Sequence, residues 1–254
     1  MFELDAVSFA IQEKVLLQPI SLQFNTGKIY GIIGPNGSGK STLIKLLARQ
    51  QAVTSGELRF AQRPIQQWKS KAFAREVAYL PQYLPQASNL TVKNLLQMGR
   101  YAWNGLLGRN PKQDEQAIQN ALQWTNMQAY ADQFVDTLSG GERSRVWLAM
   151  LLAQQSRFLL LDEPLAALDI AHQVEVMQLI EKLVKQLNLG VIIVIHDINL
   201  AARFCHQLIA LQGGRLLMQG SPQEIMTPEA LAQIYHIDLQ VLSHPVDQVP
   251  VAFF

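Results

Sequence analysis

The sequence has little charge, one cysteine and no excess of either charge sign. Charged residues make up 16% of the 254 positions, whereas typical soluble domains contain about 25%. Lys+Arg (21) and Asp+Glu (20) nearly cancel, so the basic excess typical of nucleic-acid binders is missing and we expect no nucleic-acid partner. The single cysteine, Cys205, excludes an internal disulfide framework and fits a reducing compartment such as the cytosol. We expect it to be a small buried residue.

Long apolar runs are also missing. The longest pure apolar stretches, such as residues 191–195, fall far short of the about 20 predominantly apolar residues that a membrane-spanning helix needs. Glu3 and Asp5 stand where a secretory signal would carry basic residues, so we expect no such signal. Because 49% of the residues are nevertheless apolar, the surface must be poor in charge, which indicates that partners cover some of its faces.

Apolar runs of strand length alternate with helical patterns along most of the chain. This alternation predicts an α/β fold, in which helices cover both faces of a mostly parallel sheet. The first thirty residues are instead typical of an antiparallel β subdomain, and between about residues 85 and 155 helical segments replace the strands. We interpret the chain as one domain, whose core (about 1–84 and 156–240) carries an inserted helical lobe. The short tail, 241–254, is expected to be extended or loosely held.

A glycine-rich loop follows the apolar run at residues 29–33 and leads into a helical pattern. It fits the spacing G-x-x-x-x-G-K-[ST] of a phosphate-binding loop (Walker A), in the strand–loop–helix context that the motif requires. Glycines let backbone N–H groups converge on phosphate oxygens, and the helix N-terminus favours negative charge. Lys40 can reach the β- and γ-phosphates, the Ser41 hydroxyl suits the shell of a Mg²⁺ ion, and Thr42 can contact phosphate. This phosphate loop consists of Gly34, Pro35, Asn36, Gly37, Ser38, Gly39, Lys40, Ser41 and Thr42.

Two acids, Asp162 and Glu163, end the apolar run at residues 158–161. Core packing gives no reason for an apolar strand to end in two acids. In open α/β sheets, however, ligands bind at the carboxyl ends of the strands. Asp162 therefore fits a role at Mg²⁺, and Glu163 is a candidate general base for a water that attacks a phosphate. The alternative is a pair of solvated side chains at a strand end.

A serine and two glycines precede the helical pattern that continues from Arg143. Ser139, with Glu142 three positions later, matches the capping box, and a helix start is the alternative interpretation of the whole segment. Gly140 and Gly141 go beyond what capping needs, because they leave the helix N-terminus open to the approach of a phosphate.

In chain order, these motifs are the phosphate loop, the Ser-Gly-Gly-Glu segment and the acid pair. Together they resemble the motifs of the ATP-binding subunit of an ABC transporter, which has a P-loop NTPase fold. The residues 139–142 resemble its signature. Gln82 resembles the glutamine of its Q-loop, Asp169 the aspartate of its D-loop (Ala-Leu-Asp, 167–169) and His196 its switch histidine. The resemblance extends from about residue 4 to residue 254.

The resemblance implies a site that two subunits share. Two copies meet head to tail around two ATP molecules, so that the phosphate loop of one copy faces the signature of the other. Glu163 would be the general base, Gln82 would sense Mg²⁺ and the attacking water, and His196 would hydrogen-bond the γ-phosphate. The Mg²⁺ ion would be held by Ser41, Gln82 and Asp162.

Three positions depart from the common family pattern. Glu142 stands where glutamine is usual, and we expect its carboxylate to face away from the γ-phosphate. Leu165 stands where threonine is common, which removes a hydroxyl near the D-loop. The position of the ring that stacks on adenine in many relatives holds Ile11, while Phe9 lies two residues earlier on the same strand face and is also a candidate core residue.

Longer stretches narrow the resemblance to iron-siderophore importer ATPases, and among them to the ferric hydroxamate (ferrichrome) type. They are residues 71–82, 99–103, 139–143, 168–174 and 196–203. The implied partners are a second copy of the chain, an integral membrane permease and, indirectly, a periplasmic or extracellular substrate-binding protein. The implied location is peripheral, on the cytoplasmic face of the inner membrane.

The stretch from Tyr83 to about Asn110 is expected to dock the permease. It is irregular, contains glycine and carries apolar side chains at Tyr101, Trp103, Leu106 and Leu107. The alternative is that these side chains pack inside the helical lobe.

Other functions remain open at this point. The same transport role could serve cobalamin, haem or a metal ion, since this subunit need not touch the cargo. An assembly ATPase for iron–sulfur clusters is a further alternative. An ABC ATPase that acts on nucleic acid would need a long coiled coil or a second cassette, and 254 residues with a net charge of +1 fit neither.

Overall fold

The computed structural model of the chain describes residues 1–103, 111–166 and 168–254. Its strands in chain order are β1 (Phe2–Ile11), β2 (Lys14–Phe24), β3 (Ile29–Ile33), β4 (Ser55–Phe60), β5 (Arg63–Pro64), β6 (Val77–Leu80), β7 (Phe158–Leu161), β8 (Gly190–Val194), β9 (Gln207–Gln212), β10 (Arg215–Gly220), β11 (Gln240–Ser243) and β12 (Pro250–Phe253). Its α-helices are α1 (Lys40–Leu47), α2 (Ser70–Ala74), α3 (Val92–Gly99), α4 (Pro111–Thr125), α5 (Gly140–Ala153), α6 (Ile170–Leu187), α7 (Ile198–Phe204), α8 (Pro222–Ile225) and α9 (Pro228–Tyr235).

The central sheet has the strand order β10-β9-β3-β8-β7-β6. Its neighbours from β9 to β6 pair in parallel, while β10 turns back on β9 as an antiparallel hairpin. A separate antiparallel sheet has the order β2-β1-β4-β5. The predicted α/β class is confirmed, with a mostly parallel sheet, an antiparallel N-terminal sheet and a helical lobe that contains α3, α4 and α5.

Two hydrophobic cores lie on opposite sides of the central sheet. Because successive side chains of a strand point to opposite faces, Ile29 and Ile33 of β3 join one core, while Tyr30 and Ile32 join the other. The first core packs the sheet against α5, α6, α7 and the helical lobe, and the second packs it against α1 and the N-terminal sheet. Strands covered on both sides are apolar throughout, as β7 is.

The parallel register brings the carboxyl ends of four strands to one edge of the sheet. Leu80 of β6 pairs with Leu161 of β7, Leu161 pairs with Ile193 of β8, and Val194 of β8 pairs with Ile32 of β3. The phosphate loop follows β3, and Asp162 follows β7. Gln82 and His196, to which the resemblance gives roles, follow β6 and β8. The sheet therefore gathers positions that are far apart in the sequence.

The C-terminal tail is held against α7. Strands β11 and β12 pair as an antiparallel hairpin. The Asn199 side chain in α7 donates to the Ala252 carbonyl (3.0 Å) and accepts from the Ala252 N–H (2.8 Å). Arg203, one turn further along α7, forms an ion pair with Asp247 at 2.9 Å. The sequence pattern of the tail showed none of these partners, because they lie about 50 residues upstream.

Cys205 is buried beside Gly31 of β3, and this burial raises the pKa of its thiol, as befits a small core residue. Within residues 1–103, 111–166 and 168–254, none of the helices is long and apolar enough to cross a membrane.

Candidate active site

The phosphate loop joins β3 to α1 in a conformation that only glycine adopts easily. Gly34, Gly37 and Gly39 have φ angles of 135°, 76° and 100°, in the region that side chains disfavour. At Gly34 space is also lacking, because a methyl group there would overlap the carbonyl oxygen of Leu211 in β9. Gly39 occupies the N-cap position of α1, so the loop ends at a helix N-terminus. Such an end presents free backbone N–H groups and favours an anion.

The Lys40 ammonium is held across this loop. Its Nζ donates to the carbonyls of Gly34 (2.8 Å) and Pro35 (2.9 Å), and the residue is 5% exposed. Burial lowers the pKa of Lys40, while the charges of Glu163 and Asp162 act in the opposite direction. An ammonium has three donors, so one remains for a phosphate oxygen.

Asp162 lies buried opposite the start of α1. Its Oδ1 accepts a hydrogen bond of 3.0 Å from the Ser41 hydroxyl, and its Oδ2 has no hydrogen-bond partner among the residues that the structure describes. Burial raises the pKa of this carboxyl, with the Ser41 hydrogen bond opposing the shift. A buried carboxylate with a free oxygen needs a compensating positive charge, and the hydroxyl beside it adds a second oxygen ligand.

Glu163 connects the ends of three strands. Its carboxylate accepts a 2.7 Å hydrogen bond from Gln82 Nε2 after β6, and its other oxygen lies 2.9 Å from His196 Nε2 after β8. The Glu163 backbone has a φ of 53°, which a residue with a side chain rarely adopts and which is typical of functional sites. Glu163 also lines the cleft beside the phosphate loop. Glu163 is thereby held by two neighbours at the side of the cleft that contains the phosphate loop.

Comparisons with known proteins agree with this geometry. The family model described as ABC transporter matches residues 17–166. The chain is 40% identical to the iron(3+)-hydroxamate import ATP-binding protein FhuC of Bacillus subtilis, over 94% of this chain and 89% of that protein. The chain belongs to the ATP-binding subunits of ABC transporters. As such it binds ATP and hydrolyses it to drive transport, and the resemblance to iron-siderophore importer ATPases is confirmed at the level of the family.

Further relatives differ in the transport system that their names give. The ferric enterobactin transport ATP-binding protein FepC of Escherichia coli is 39% identical, over 91% of this chain and 86% of that protein. The hemin import ATP-binding protein HmuV of Shewanella denitrificans is 35% identical, over 99% of both. Identities this similar do not separate one cargo from another.

Solved structures share the fold. A chain of an inward-facing ABC transporter described as metal-chelate type superposes with a TM-score of 0.85 at 24% identity, covering 100% of this chain and 97% of that one. At that identity the likeness shows the fold alone. A dimeric bacterial ABC transporter cassette gives a TM-score of 0.75 at 25% identity, over 87% of this chain and 98% of that one.

The signature lies outside the cleft at the phosphate loop. That cleft is lined by Leu16, Asn36, Gly37, Ser38, Gly39, Lys40, Ser41, Thr42 and Glu163, and no signature residue contributes to it in the described part of the chain. Ser139 caps α5, and the Glu142 carboxylate accepts from the Ser139 N–H (2.9 Å) and hydroxyl (2.7 Å). Hydrogen bonds from Tyr130 and from Ser139 lower the pKa of Glu142. Its carboxylate is thus turned back onto the helix cap.

The two residues that the sequence offers as adenine contacts, Phe9 and Ile11, differ in how accessible they are. Phe9 is 8% exposed and packs in the core under the N-terminal sheet, whereas Ile11 is 51% exposed. Leu16 of β2, which carries no motif, lines the cleft, and its carbonyl would lie 3.2 Å from a Cβ placed on Gly39. Only the tertiary position of β2 beside the phosphate loop identifies Leu16 as a cleft residue. Of the two sequence candidates for adenine, Ile11 is the accessible one.

The stretch expected to dock a permease divides into two kinds of residue. Tyr83, Met98 and Tyr101 are 84%, 60% and 70% exposed. Trp103 instead packs on its own chain. The guanidinium groups of Arg75 and Arg100 lie over its ring, 4.9 and 5.0 Å from the ring centre, and its indole N–H donates to the Gln154 carbonyl. The positions 104–110, which include Leu106 and Leu107, lie outside the described residues, as does position 167 of the D-loop.

The glycines of the loop differ in a way that can be tested. Gly34→Ala introduces both an overlap with Leu211 and a disfavoured φ, so we expect it to lower the free energy of unfolding by about 2–4 kcal/mol. Gly37→Ala is the matched control, because it has a positive φ but nothing within 4 Å of the added methyl. We expect a loss of about 1–2 kcal/mol there. Urea unfolding without nucleotide measures both, and equal losses would contradict this account.

Proposed function

We propose that this chain is the ATP-hydrolysing subunit that powers import of a ferric siderophore, of the hydroxamate type, through a membrane permease. The observation that carries the proposal is the Glu163 carboxylate, held by Gln82 and near His196 beside the phosphate loop, in a chain 40% identical to a hydroxamate import ATP-binding protein. Haem, cobalamin or a metal ion is the alternative cargo. The similarity to a hemin import protein supports haem among these alternatives. An assembly or nucleic-acid-linked ATPase is less well supported, because the relatives compared above are transport proteins.

ATP would bind with its triphosphate on the phosphate loop. The glycine backbone and the α1 N-terminus would surround the phosphates, Lys40 would offer its remaining donor, and Thr42 would reach a phosphate oxygen. The residues at the edge of the cleft fit a Mg²⁺ ion, because the Ser41 hydroxyl, the Asp162 carboxylate and the Gln82 amide oxygen are the hard oxygen ligands that this ion prefers. Bound Mg²⁺ would neutralise charge on the β- and γ-phosphates.

Hydrolysis would depend on Glu163 as general base. A water attacks the γ-phosphorus, Glu163 accepts the proton of that water, and the bond from the γ-phosphorus to ADP breaks, releasing phosphate. Gln82 orients the carboxylate through its amide, and its position lets it sense the water and the Mg²⁺ ion together. His196, on the other side of Glu163, would hydrogen-bond the γ-phosphate.

A second copy would complete the site. The signature residues Ser139, Gly140, Gly141 and Glu142 lie outside their own phosphate cleft, so in a head-to-tail dimer they would close the cleft of the partner. The α5 N-terminus, capped by Ser139, would then face the γ-phosphate and exclude water. Asp169, at the start of α6, would lie at the same interface. The likeness to a dimeric ABC transporter cassette supports this arrangement.

A permease would bind on the exposed apolar side chains Tyr83, Met98 and Tyr101, which follow the Mg²⁺ sensor Gln82 in the chain. The chain would then be a peripheral subunit on the cytoplasmic face of the inner membrane, and a periplasmic or extracellular binding protein would deliver the cargo to the permease. Because the net charge is only +1, shape and apolar contact would contribute more to docking than attraction to anionic lipid.

The catalytic assignment predicts two different defects. Glu163→Gln removes the base but not the phosphate contacts, so kcat should fall about 10²–10⁴-fold while ATP binding and an ATP-locked dimer persist. Lys40→Ala removes a charged donor, so ATP binding should weaken about 10–100-fold. Lys185→Ala, the same change on the surface of α6, serves as control. Hydrolysis assays, nucleotide titration and size-exclusion chromatography measure these effects, and normal turnover in Glu163→Gln would remove Glu163 as base.

The docking surface predicts a defect in assembly. Met98→Ala and Tyr101→Ala each remove an exposed apolar contact, so we expect the affinity for the permease to fall about 5–30-fold for each. Leu242→Ala removes a side chain that is 63% exposed in the tail and should have no effect. Co-purification with the permease measures the change, with ATP binding as a check on folding. Unchanged assembly in both variants would show that the permease docks elsewhere.

The cargo is tested by growth of a strain that lacks this chain, with single iron sources. We expect loss of growth on ferric hydroxamates and normal growth on enterobactin and haem. The chain itself should restore growth, and its Glu163→Gln variant should not. Normal growth on every source would contradict the proposal, and loss on haem alone would favour the haem alternative.

A further inference from the structure

His172 touches both elements that the proposed dimer presents to the partner's nucleotide. It lies in the first turn of α6, and its side chain is 39% exposed. On one side it contacts Asp169, the D-loop carboxylate. On the other it contacts Gly141, the second glycine of the signature. The capping of α6 needs only one of these contacts.

The contact with Asp169 consists of two hydrogen bonds to one oxygen. Asp169 Oδ1 accepts from the His172 backbone N–H at 2.9 Å and lies 2.8 Å from the ring Nδ1. The backbone bond is the usual N-cap interaction, and the ring bond adds to it. Both lower the pKa of Asp169. The ring donates through Nδ1, so the imidazole plane is fixed relative to the D-loop.

The opposite edge of the ring lies against the backbone of α5. A methyl group on Gly141 would overlap the imidazole Cδ2 and lie 2.8 Å from Nε2. Gly141 has no positive φ, so its conformation does not require glycine. Glycine is required there because His172 occupies the space that a side chain would need. The second glycine of the signature therefore has a role within its own chain, because it lets a side chain of α6 reach the first turn of α5.

Gln173, the residue after His172, binds the segment that leads into the D-loop. The Gln173 side-chain amide donates to the carbonyls of Leu165 (3.2 Å) and Leu168 (3.0 Å), on the segment that joins Glu163 to Asp169. Gln173 thus ties this segment to α6 alone, whereas His172 ties it to α5 as well. A shift of the D-loop would move the ring into Gly141 or break the bond to Asp169.

We propose that His172 is a positioning residue that couples the D-loop to the signature helix, so that Asp169 and the α5 N-terminus move as one body. The inference rests on the proposed dimer, in which both elements serve the nucleotide of the other copy. His172 itself touches neither nucleotide in this arrangement. It acts by keeping the distance between the two elements fixed when the dimer closes.

Three substitutions separate the two contacts. His172→Asn keeps a donor for Asp169 but has no ring to reach Gly141, His172→Phe keeps the ring but has no donor, and His172→Ala removes both. Misplaced catalytic elements lower kcat rather than the affinity of an intact phosphate loop, so His172→Ala should lose about tenfold in kcat with KM within about twofold. His172→Asn and His172→Phe should lie in between. Gln178→Ala, on an exposed position of the same helix, should match the unchanged chain.

The decisive measurement is ATP-dependent dimerisation of the chain in a Glu163→Gln background. Analytical sedimentation, without permease, measures the fraction of dimer. His172→Ala should weaken this dimer, while binding of ATP to the single subunit and the thermal unfolding midpoint stay near those of the parent. Full kcat and full dimerisation in His172→Asn would overturn the inference, because orientation of Asp169 alone would then suffice. Full dimerisation in His172→Ala would overturn it too. If the Glu163→Gln parent itself formed no dimer with ATP, the proposed function would be contradicted along with the inference.

Discussion

Parallel pairing of β3, β8, β7 and β6 is the constraint on which the rest of the site depends. Parallel strands end at the same edge of a sheet, and the register aligns Leu80, Leu161 and Ile193 with one another. Strand β3 ends two residues beyond Gly31, the partner of Ile193. Each of these strands is followed by a segment that carries polar groups of the candidate site. The sheet is covered on both faces by hydrophobic cores, so its edge is the place where polar groups can collect without disturbing the packing.

The polar side chains that follow these strands are fixed by hydrogen bonds. Their position at a strand end alone would leave them free to turn into solvent. Glu163 is the centre of this arrangement, because it accepts from Gln82 and meets His196 from the other side. Asp162, one residue earlier on the same strand end, is bonded to Ser41 and lies buried. Two adjacent acids thereby have different surroundings: Asp162 is buried beside Ser41, and Glu163 lines the cleft. Different surroundings are what the separate roles that we propose for them, metal ligand and base, would require.

The low charge of the chain has a structural counterpart in particular side chains. Tyr83, Met98 and Tyr101 are largely exposed along one stretch, and Ile170 at the start of α6 is 80% exposed beside the D-loop. The first group belongs to the surface we assign to a permease, and the second lies where we expect a second copy. An apolar composition without a membrane-crossing helix in the described residues is what two such faces would produce.

Local pattern was enough to predict β7 at residues 158–161, the phosphate loop and the helical lobe, because each depends on an apolar run or on residues that are neighbours in the sequence. The start of α6 at Ile170 does not follow from an apolar pattern, since the first residues of that helix are exposed and the helix start is fixed by the Asp169 cap instead. The partners of the tail and the packing of Trp103 against Arg75 and Gln154 could not be predicted, since those contacts join distant parts of the chain.

The sequence by itself therefore determined which chemical groups this protein possesses and which short motifs carry them. Only the tertiary structure decided which groups meet. It buried Phe9 and left Ile11 accessible, brought Leu16 to the cleft, and set His172 between Asp169 and Gly141. The physical reason is that motifs depend on spacing along the chain, whereas burial and contact depend on how strands and helices pack across it.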